Sequence, residues 1–404
     1  MRYRASGRLA GREGSHALLY SARARTPDSD RGAMPDMTRQ TLTVAVVGAT
    51  GVVGRTMIQV LNEREFPVGE LRLLASGRSA GRTVSIHGRS HEIIEATPDA
   101  FEGVDIALFS AGGDVSTELA PQAAQRGATV IDNSSAWRMD PSIPLVVSQV
   151  NPYDLEGHPG IIANPNCSTM QLVPVLMALR DSVGLERVIV DTYQAVSGTG
   201  ADAIAEFEGQ IRAHVGGEPK QASVYPHPIA FNALPQVDVF LENGYTKEEW
   251  KLVSESRKIL HLPELRVSCT AVRIPVFVSH SEAVHVETRD PITPNQARAL
   301  FGAVSGVVIQ DDPSSSTYPL ATDAAGSDDI FVGRVRTDPS IAGGRGLAFW
   351  VVSDNLRKGA ATNAVQIAEV LLERDWVRPA AAREVAAYGA KVADRVGVVA
   401  GGAA

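Results

Sequence analysis

Short apolar runs alternate with helix-like segments through the first part of the chain. Four of these runs are rich in β-branched or other apolar residues, as expected of buried parallel strands: Thr43–Val47, Leu71–Leu74, Ile106–Phe109 and Thr129–Asp132. Helix-like segments lie between them at Val52–Arg64 and Val115–Arg126. Strands that alternate with helices in this way predict a doubly wound parallel sheet. The fold class is therefore α/β, with a Rossmann-like domain expected over residues 42–163.

The hydrophobic pattern changes after residue 163. A helix-like run, Ser168–Arg180, precedes a long alternating run, Glu186–Ala195, which predicts an antiparallel strand. Further strands are expected at Arg266–Arg273, Ala283–Thr288, Ile330–Thr337 and Leu347–Ser353. Many strands with segregated helices predict an α+β domain over residues 164–353. We expect the segment 354–377, which contains a helix at 356–373, to return to the first domain.

One helix start and the two ends of the chain complete its predicted organisation. Thr246 and Glu249 have the spacing of a capping box, so a helix is expected to begin after Thr246. Residues 1–41 are arginine-rich but also carry four acids, and we expect a disordered leader or a misassigned start, with Met34 and Met37 as alternatives. The Ala/Gly-rich segment 378–404 is expected to be a flexible tail.

Composition narrows the class of protein. The 404 residues are 44% hydrophobic and 21% charged, which is typical of a globular protein with more than one domain. A net charge of -8 argues against nucleic-acid or membrane-surface partners, and no apolar run is as long as a membrane-spanning helix. Cys167 and Cys269 are the only cysteines, so a reducing, cytoplasmic compartment is expected. We expect no metal site.

A glycine-rich turn follows the first strand. Its spacing, G-x-x-G-x-x-G between a strand and a helix, indicates a dinucleotide pyrophosphate at a helix N-terminus. The residues expected to contact the cofactor there are Gly48, Thr50, Gly51, Val52, Val53 and Gly54. After the second strand, where an NAD site would carry an acid, the loop has none and offers Ser76, Arg78 and Ser79. A guanidinium with two hydroxyls suits a 2′-phosphate, so the predicted cofactor is NADP(H).

One cysteine lies at a predicted helix start. Cys167 follows the apolar run Ile162–Ala163 and directly precedes the helix beginning at Ser168. Helix N-termini favour thiolates, and a thiolate beside a nicotinamide indicates acyl-thioester chemistry. Cys269 lies within an alternating strand and is interpreted as a structural cysteine.

These motifs occur together, and in order, in one known family. The chain resembles aspartate-β-semialdehyde dehydrogenases over about residues 42–377. The matching pieces are Gly48–Gly54, Ser76–Gly81, Asn164–Gln171, Tyr193–Gly198, Glu248–Lys251, the pair Arg273 and His280, and Asp354–Ala361.

The resemblance implies a set of residue roles. It implies that Cys167 is the acyl-accepting nucleophile, that His280 is the general acid/base and that Gln194 orients the substrate carbonyl. By the same similarity, substrate contacts are implied for four charged residues: Arg273 for the carboxylate, Glu248 for the ammonium, and Arg138 with Lys251 for the phosphate. Ser197, Gly198 and Asn355 are implied to line the nicotinamide.

The resemblance also implies an activity, and two alternatives to this activity remain open. The expected reaction is NADPH-dependent reduction of L-aspartyl 4-phosphate to L-aspartate 4-semialdehyde, in the biosynthesis of lysine and diaminopimelate, threonine, methionine and isoleucine. A homodimer is expected. The first alternative is a reductase similar to N-acetyl-glutamyl-phosphate reductase, whose acylated amine would not require Glu248. The second is a non-catalytic NADP-binding protein, which would have no reason to keep Cys167, Gln194, Arg273 and His280 together.

Overall fold

The computed structural model describes residues 41–86 and 89–378. Apart from Thr41 and Arg378, the leader expected over residues 1–41 and the tail expected over residues 378–404 lie outside the described residues. A seven-stranded sheet is built from the first half of the chain. Its strands are β1 (Leu42–Val47), β2 (Val68–Ala75), β3 (Thr83–Ile86), β4 (Arg89–Glu95), β5 (Ile106–Phe109), β6 (Thr129–Asp132) and β7 (Ile161–Ala163). Helices α1 (Val52–Glu63) and α2 (Gly113–Gln125) make two of the crossovers. The order β3-β4-β2-β1-β5-β6-β7 is parallel throughout except for the β3–β4 pair. The carboxyl ends of β1, β2 and β5 therefore meet at one edge, where a nucleotide binds in such sheets.

The second half contains a mixed six-stranded sheet with helices packed against it. The helices are α3 (Cys167–Val183), α4 (Ala201–Gly216), α5 (Lys247–Ile259), α6 (Pro294–Gly302) and the short α7 (Ala321–Ala324). The strands are β8 (Leu185–Gln194), β9 (Arg266–Arg273), β10 (His280–Thr288), β11 (Val307–Ile309), β12 (Ile330–Thr337) and β13 (Gly346–Ser353). In the order β11-β12-β13-β10-β8-β9, the alternating run of β8 pairs antiparallel with β10 and parallel with β9. One core joins the buried side of this sheet to α3.

The chain returns to the first sheet after β13. A π-helical turn, Arg357–Thr362, leads into α8 (Asn363–Glu373), whose apolar side is buried with residues of α1, β1 and β2. Arg64 of α1 also donates from Nε to Glu369 of α8 over 2.8 Å. The expectation of one continuous helix from residue 356 is wrong in its first turn, where the N–H of Gly359 bonds to the carbonyl of Asp354, five residues earlier. Such wide turns are common at functional sites.

Most of the expected elements are confirmed, and one missed hairpin matters for the cofactor site. The strands at Ile106–Phe109, Thr129–Asp132 and Arg266–Arg273 have the bounds that the apolar pattern predicts. The β3–β4 hairpin was not expected, because polar residues interrupt its few apolar positions and it forms no long apolar run. The capping box is also confirmed: Thr246 Oγ1 accepts from the Glu249 N–H at 3.3 Å, and Glu249 Oε2 accepts from the Thr246 N–H at 2.6 Å.

Candidate active site

Cys167, the predicted nucleophile, lies where the two halves of the fold meet. β7 ends at Ala163, a three-residue connection follows, and α3 begins at Cys167 itself. Asn166 is the N-cap residue, and its Oδ1 accepts from the Ser168 N–H at 3.0 Å. The π-helical turn covers the other side, because a Cβ on Gly359 would lie 2.9 Å from Cβ of Cys167. Only a glycine allows this close approach, which fixes the position of the thiol against the start of α3.

The ionisation of the thiol differs from the sequence expectation. The helix N-terminus was expected to favour the thiolate, but burial, followed by the nearby Glu248 carboxylate, raises the pKa of Cys167 to about 12. Three cations oppose this rise: Arg273, Arg138 and Lys251. In the free protein the thiol is therefore protonated at neutral pH, and the surrounding cations are the groups that stabilise its ionised form. Burial also raises the pKa of the second thiol, Cys269, which is enclosed in β9.

Glu248 is the centre of a buried hydrogen-bond network. Its Oε1 accepts from Asn166 Nδ2 at 2.9 Å and from Gln194 Nε2 at 3.1 Å, and its Oε2 accepts from Lys251 Nζ at 3.0 Å. Although burial opposes ionisation, Lys251 and these hydrogen bonds hold the pKa of Glu248 down to about 2. A carboxylate offers about four acceptor positions. One position on Oε2 therefore remains for a ligand donor.

Gln194 and Arg273 end neighbouring parallel strands, which is why they come together. Gln194 Nε2 also donates to Ser168 Oγ at 2.7 Å, so its side chain lies across the first turn of α3. Arg273 is buried and donates from Nη1 to the Ala195 carbonyl at 2.7 Å, while its Nε has no hydrogen-bond partner among the described residues. A buried guanidinium with a free donor is suited to bind a carboxylate.

His280 begins β10, three residues before the point where the pattern placed that strand. Burial, followed by the positive charge of Arg273, lowers the pKa of His280 to about 3, so the ring is neutral. The Ala195 N–H donates to Nδ1 at 3.1 Å, which places the proton of the neutral ring on Nε2. Nε2 is buried without a partner in the described part of the chain. A Cβ on Gly198 would lie 3.2 Å from Nε2 and 3.1 Å from Arg273 Nη1, so the two donors surround that glycine.

A strained residue precedes His280 and is held by Asn355. Ser279 is fully buried with φ of 80°, a conformation that side chains rarely adopt. Its N–H donates to Asn355 Oδ1 at 2.9 Å, and Asn355 Nδ2 donates to Ser197 Oγ at 3.0 Å. Ser197 and Asn355, both expected at the nicotinamide, are therefore in contact and also fix the backbone before His280.

Arg138 and Lys251 both form ion pairs with carboxylates. Arg138 Nη1 donates to Glu255 Oε1 at 3.0 Å and Nη2 donates to the Asn133 carbonyl at 2.7 Å, so it does not depend on stacking against Trp137. Lys251 Nζ lies 3.0 Å from both Glu248 Oε2 and Asp238 Oδ2. Both cations act on the Cys167 thiol, which places them around the same site.

The glycine-rich turn has the form that a pyrophosphate requires. Gly48 has φ of 81°, and a Cβ on Gly54 would collide with the Gly48 carbonyl oxygen. Thr50 and Gly51 complete the turn, and Val52 and Val53 begin α1, whose N-cap has no side-chain hydrogen bond. The first N–H groups of α1 are thus available to an anion, and the residues fit a dinucleotide.

The loop after β2 contains the expected phosphate ligands and one neighbour that the sequence did not reveal. Ser76 and Arg78 are exposed at the start of the turn, and Ser79 is half-buried. Glu95, at the end of β4, extends toward them: its Oε1 would lie 2.6 Å from a Cβ on Gly77. The loop itself has no acid, but the adjacent parallel strand places a carboxylate beside it. Only the pairing of β2 with β4, which the pattern did not predict, brings Glu95 there.

Two features are absent from the described residues. Residues 41–86 and 89–378 contain no group of three or more His, Cys, Asp or Glu side chains that could hold a metal ion. No helix in this part of the chain is long and apolar enough to cross a membrane.

Known sequence families match both halves of the chain. The family described as "Semialdehyde dehydrogenase, NAD binding domain" matches residues 43–158, and "Semialdehyde dehydrogenase, dimerisation domain" matches residues 176–358. The aspartate-semialdehyde dehydrogenase of Aquifex aeolicus is 53% identical over 338 residues, which is 83% of this chain and 99% of the relative. That of Bacillus subtilis is 52% identical over 344 residues, again 83% of this chain and 99% of the relative.

Solved structures give the same similarity. Aspartate semialdehyde dehydrogenase II of Vibrio cholerae, complexed with ASA, superposes with a TM-score of 0.80 at 48% identity and covers 83% of this chain and 99% of its own. The Candida albicans enzyme with NADP has a TM-score of 0.67 at 23% identity, covering 83% of this chain and all of its own, and supports the fold alone.

Proposed function

The chain belongs to the aspartate-semialdehyde dehydrogenase family and is an NAD(P)-dependent oxidoreductase, and on this basis we propose how its own residues carry out the reaction. The substrate is L-aspartyl 4-phosphate, which is reduced to L-aspartate 4-semialdehyde with release of phosphate. The observation that carries the proposal is the charge pattern around Cys167, where Arg273, Arg138 and Lys251 oppose the effect of Glu248 on the thiol.

This charge pattern matches the three charged groups of the substrate. Arg273, with its free buried Nε, binds the α-carboxylate. The remaining acceptor position on the ionised Glu248 receives the ammonium. Arg138 and Lys251 receive the phosphate. An N-acetylated substrate has no ammonium and would leave this buried carboxylate unused, so the free amino acid is the better fit.

Cys167 forms the covalent intermediate. The thiol first passes its proton to Nε2 of His280, and its sulfur then attacks the acyl-phosphate carbon. The bond from that carbon to the phosphate oxygen breaks, and phosphate leaves with the electron pair. The product is a thioester on Cys167. Bound NADPH supplies the hydride that converts this thioester to the aldehyde oxidation level. The thiohemiacetal then collapses by breaking its carbon–sulfur bond, and the Cys167 thiolate is regenerated as the aldehyde departs.

His280 handles the proton from its Nε2 side. With the Ala195 N–H on Nδ1, the neutral ring presents Nε2–H as a hydrogen-bond donor to the substrate oxygen. To accept a proton at Nε2, the ring must carry its own proton on Nδ1, which requires the contact with Ala195 to open. Gln194, fixed by Ser168 and Glu248, keeps the carbonyl beside the sulfur.

We further propose NADP(H) as the cofactor and a second copy of the chain as the partner. Ser76, Arg78 and Ser79 are suited to the 2′-phosphate.

The second sheet has α3 on one side, whereas Tyr193 and Trp350 are part-exposed on the other, with ring centroids 5.4 Å apart. This outer side would pair with a second copy, and light scattering should then give twice the chain mass. A cytoplasmic location is proposed because both cysteines are free.

An assay in the oxidative direction tests the proposed activity. The purified protein, supplied with L-aspartate 4-semialdehyde, phosphate and NADP, should reduce NADP, and omission of phosphate should stop continuous turnover. The N-acetyl-glutamate semialdehyde analogue should be a poor substrate, and Cys167→Ala should be inactive. A preference for the N-acetylated aldehyde would favour the first alternative, and no turnover with either aldehyde would favour a non-catalytic protein.

A further inference from the structure

One side of α5 carries four charged residues toward the active site. Glu248, Lys251, Glu255 and Lys258 are spaced by three, four and three residues, so they lie on one side of the helix. The first two belong to the proposed substrate site. The other two extend the same row beyond it, and neither was singled out by the sequence motifs.

Glu255 connects Arg138, the proposed phosphate ligand, to the backbone beside Cys167. Its side chain is 1% exposed, and its two oxygens have different partners. Oε1 accepts from Arg138 Nη1 at 3.0 Å, and Oε2 accepts from the N–H of Asn166 at 2.7 Å. Asn166 directly precedes Cys167 and caps α3. A single carboxylate thus fixes both the Arg138 guanidinium and the N-cap residue of α3.

Lys258 fixes the loop that carries Arg138. Its Nζ donates to three backbone carbonyls, those of Arg138 and Asp140 at 2.7 Å and that of Ile143 at 2.9 Å. The backbone and the side chain of Arg138 are therefore both held by α5. Nε of Arg138 is buried and has no partner among the described residues, so one donor of the fixed guanidinium remains for a ligand.

We propose, on the basis of the proposed function, that Glu255 is a positioning residue that orients Arg138 for the transferred phosphate and couples it to Asn166 beside Cys167. The side-chain oxygen of a glutamine at this position can accept from the Asn166 N–H or from the Arg138 guanidinium, but not from both. Its NH₂ group is a donor and can accept from neither. Glu255→Gln therefore breaks one of the two contacts while keeping the size of the side chain.

A second buried glutamate on α5 provides a matched control. Both oxygens of Glu249 also accept hydrogen bonds, but from two backbone N–H groups, those of Thr246 at 2.6 Å and Ala271 at 2.9 Å, and Glu249 contacts neither Arg138 nor Asn166. Glu249→Gln removes the same charge from the same helix. It should lower the melting temperature and leave the KM for phosphate near that of the wild type.

The test compares the two variants in the NADP-reduction assay. Glu255→Gln should raise the KM for phosphate about 10- to 100-fold, the range expected for loss of a charge-assisted contact, while the KM for the aldehyde stays within about twofold. In an Arg138→Ala background, Glu255→Gln should add little to the KM for phosphate, because it acts through Arg138. Equal changes in both KM values, or a full additional effect in the Arg138→Ala background, would show a merely structural role.

A binding measurement separates this inference from the proposed activity. Inorganic phosphate should raise the melting temperature of the wild-type protein, and should raise it less in Glu255→Gln than in Glu249→Gln. A wild-type protein that binds phosphate without reducing NADP would contradict the activity but not the role of Glu255. Equal phosphate stabilisation in the wild type and Glu255→Gln would overturn the role of Glu255 whatever the turnover.

Discussion

At the scale of single residues, the protonation of Cys167 depends on the balance between the opposing charges around it. Burial and Glu248 hold the proton on Cys167, whereas the cations around it favour its loss. The sequence motifs identified these charged residues but not their combined effect on the pKa of the thiol. The pattern correctly placed Cys167 at the start of a helix. It did not show that the π-helical turn, about 190 residues later, packs against this residue, nor that burial is what raises the thiol pKa most.

The cofactor preference is tested at Arg78. Arg78→Ala should raise the KM for NADPH about 10- to 100-fold and change that for NADH much less, since only NADPH has the 2′-phosphate. Arg82, an exposed arginine just after the same turn, provides the control. Equal losses for both cofactors in Arg78→Ala, or the same NADPH loss in Arg82→Ala, would show that Arg78 does not bind the 2′-phosphate.

At the scale of elements, what could be predicted depended on whether an element has an apolar face. The buried strands β1, β5 and β6 and the cap of α5 have local signatures, and these were found. The β3–β4 edge hairpin has none, so Glu95 was missed with it. Glu255 was missed for another reason: its partner Arg138 is 117 residues away in the chain, and a local pattern contains no sign of that pairing.

The close approach of two elements at Cys167 gives a steric prediction. Gly359→Ala would place a methyl group 2.9 Å from Cβ of Cys167, and either α3 or the π-helical turn must move. A displacement of about 1 Å should lower kcat/KM roughly 100-fold. Gly209→Ala, in α4, is the control because nothing lies within 4 Å of the added methyl. Steady-state kinetics that show equal activity for the two variants would contradict the proposed packing.

At the scale of the whole molecule, a buried lysine connects the returning segment to the first half of the chain. Lys358 is fully buried, and its Nζ donates to Gln149 and Gln366. Burial lowers the pKa of Lys358 to about 7, although Asp328 partly opposes this. The segment that covers Cys167 therefore carries a cation whose burial costs free energy of folding at neutral pH.

The sign of this effect sets a pH dependence of stability. The pKa in the folded state lies below the ordinary value of 10.5, so the contribution to stability is complete above pH 10.5 and is lost as the pH falls to about 7. Relative to Lys358→Met, the wild type should therefore lose stability over this window. The difference in melting temperature should change by at least about 2–4 °C, the shift produced by ~1 kcal/mol. A difference that is constant between pH 7 and 10.5 would contradict the lowered pKa of the buried lysine.

The central claim is that Cys167 carries the acyl group, and intact-protein and peptide mass spectrometry test it most directly. The protein is mixed with L-aspartate 4-semialdehyde and NADP without phosphate, so that the thioester forms but has no acceptor. We predict an aspartyl adduct on Cys167 that phosphate removes, that forms more slowly in His280→Gln by roughly 10²–10⁴-fold, and that is absent in Cys167→Ala. An adduct on Cys269, or sustained turnover by Cys167→Ala, would contradict the account.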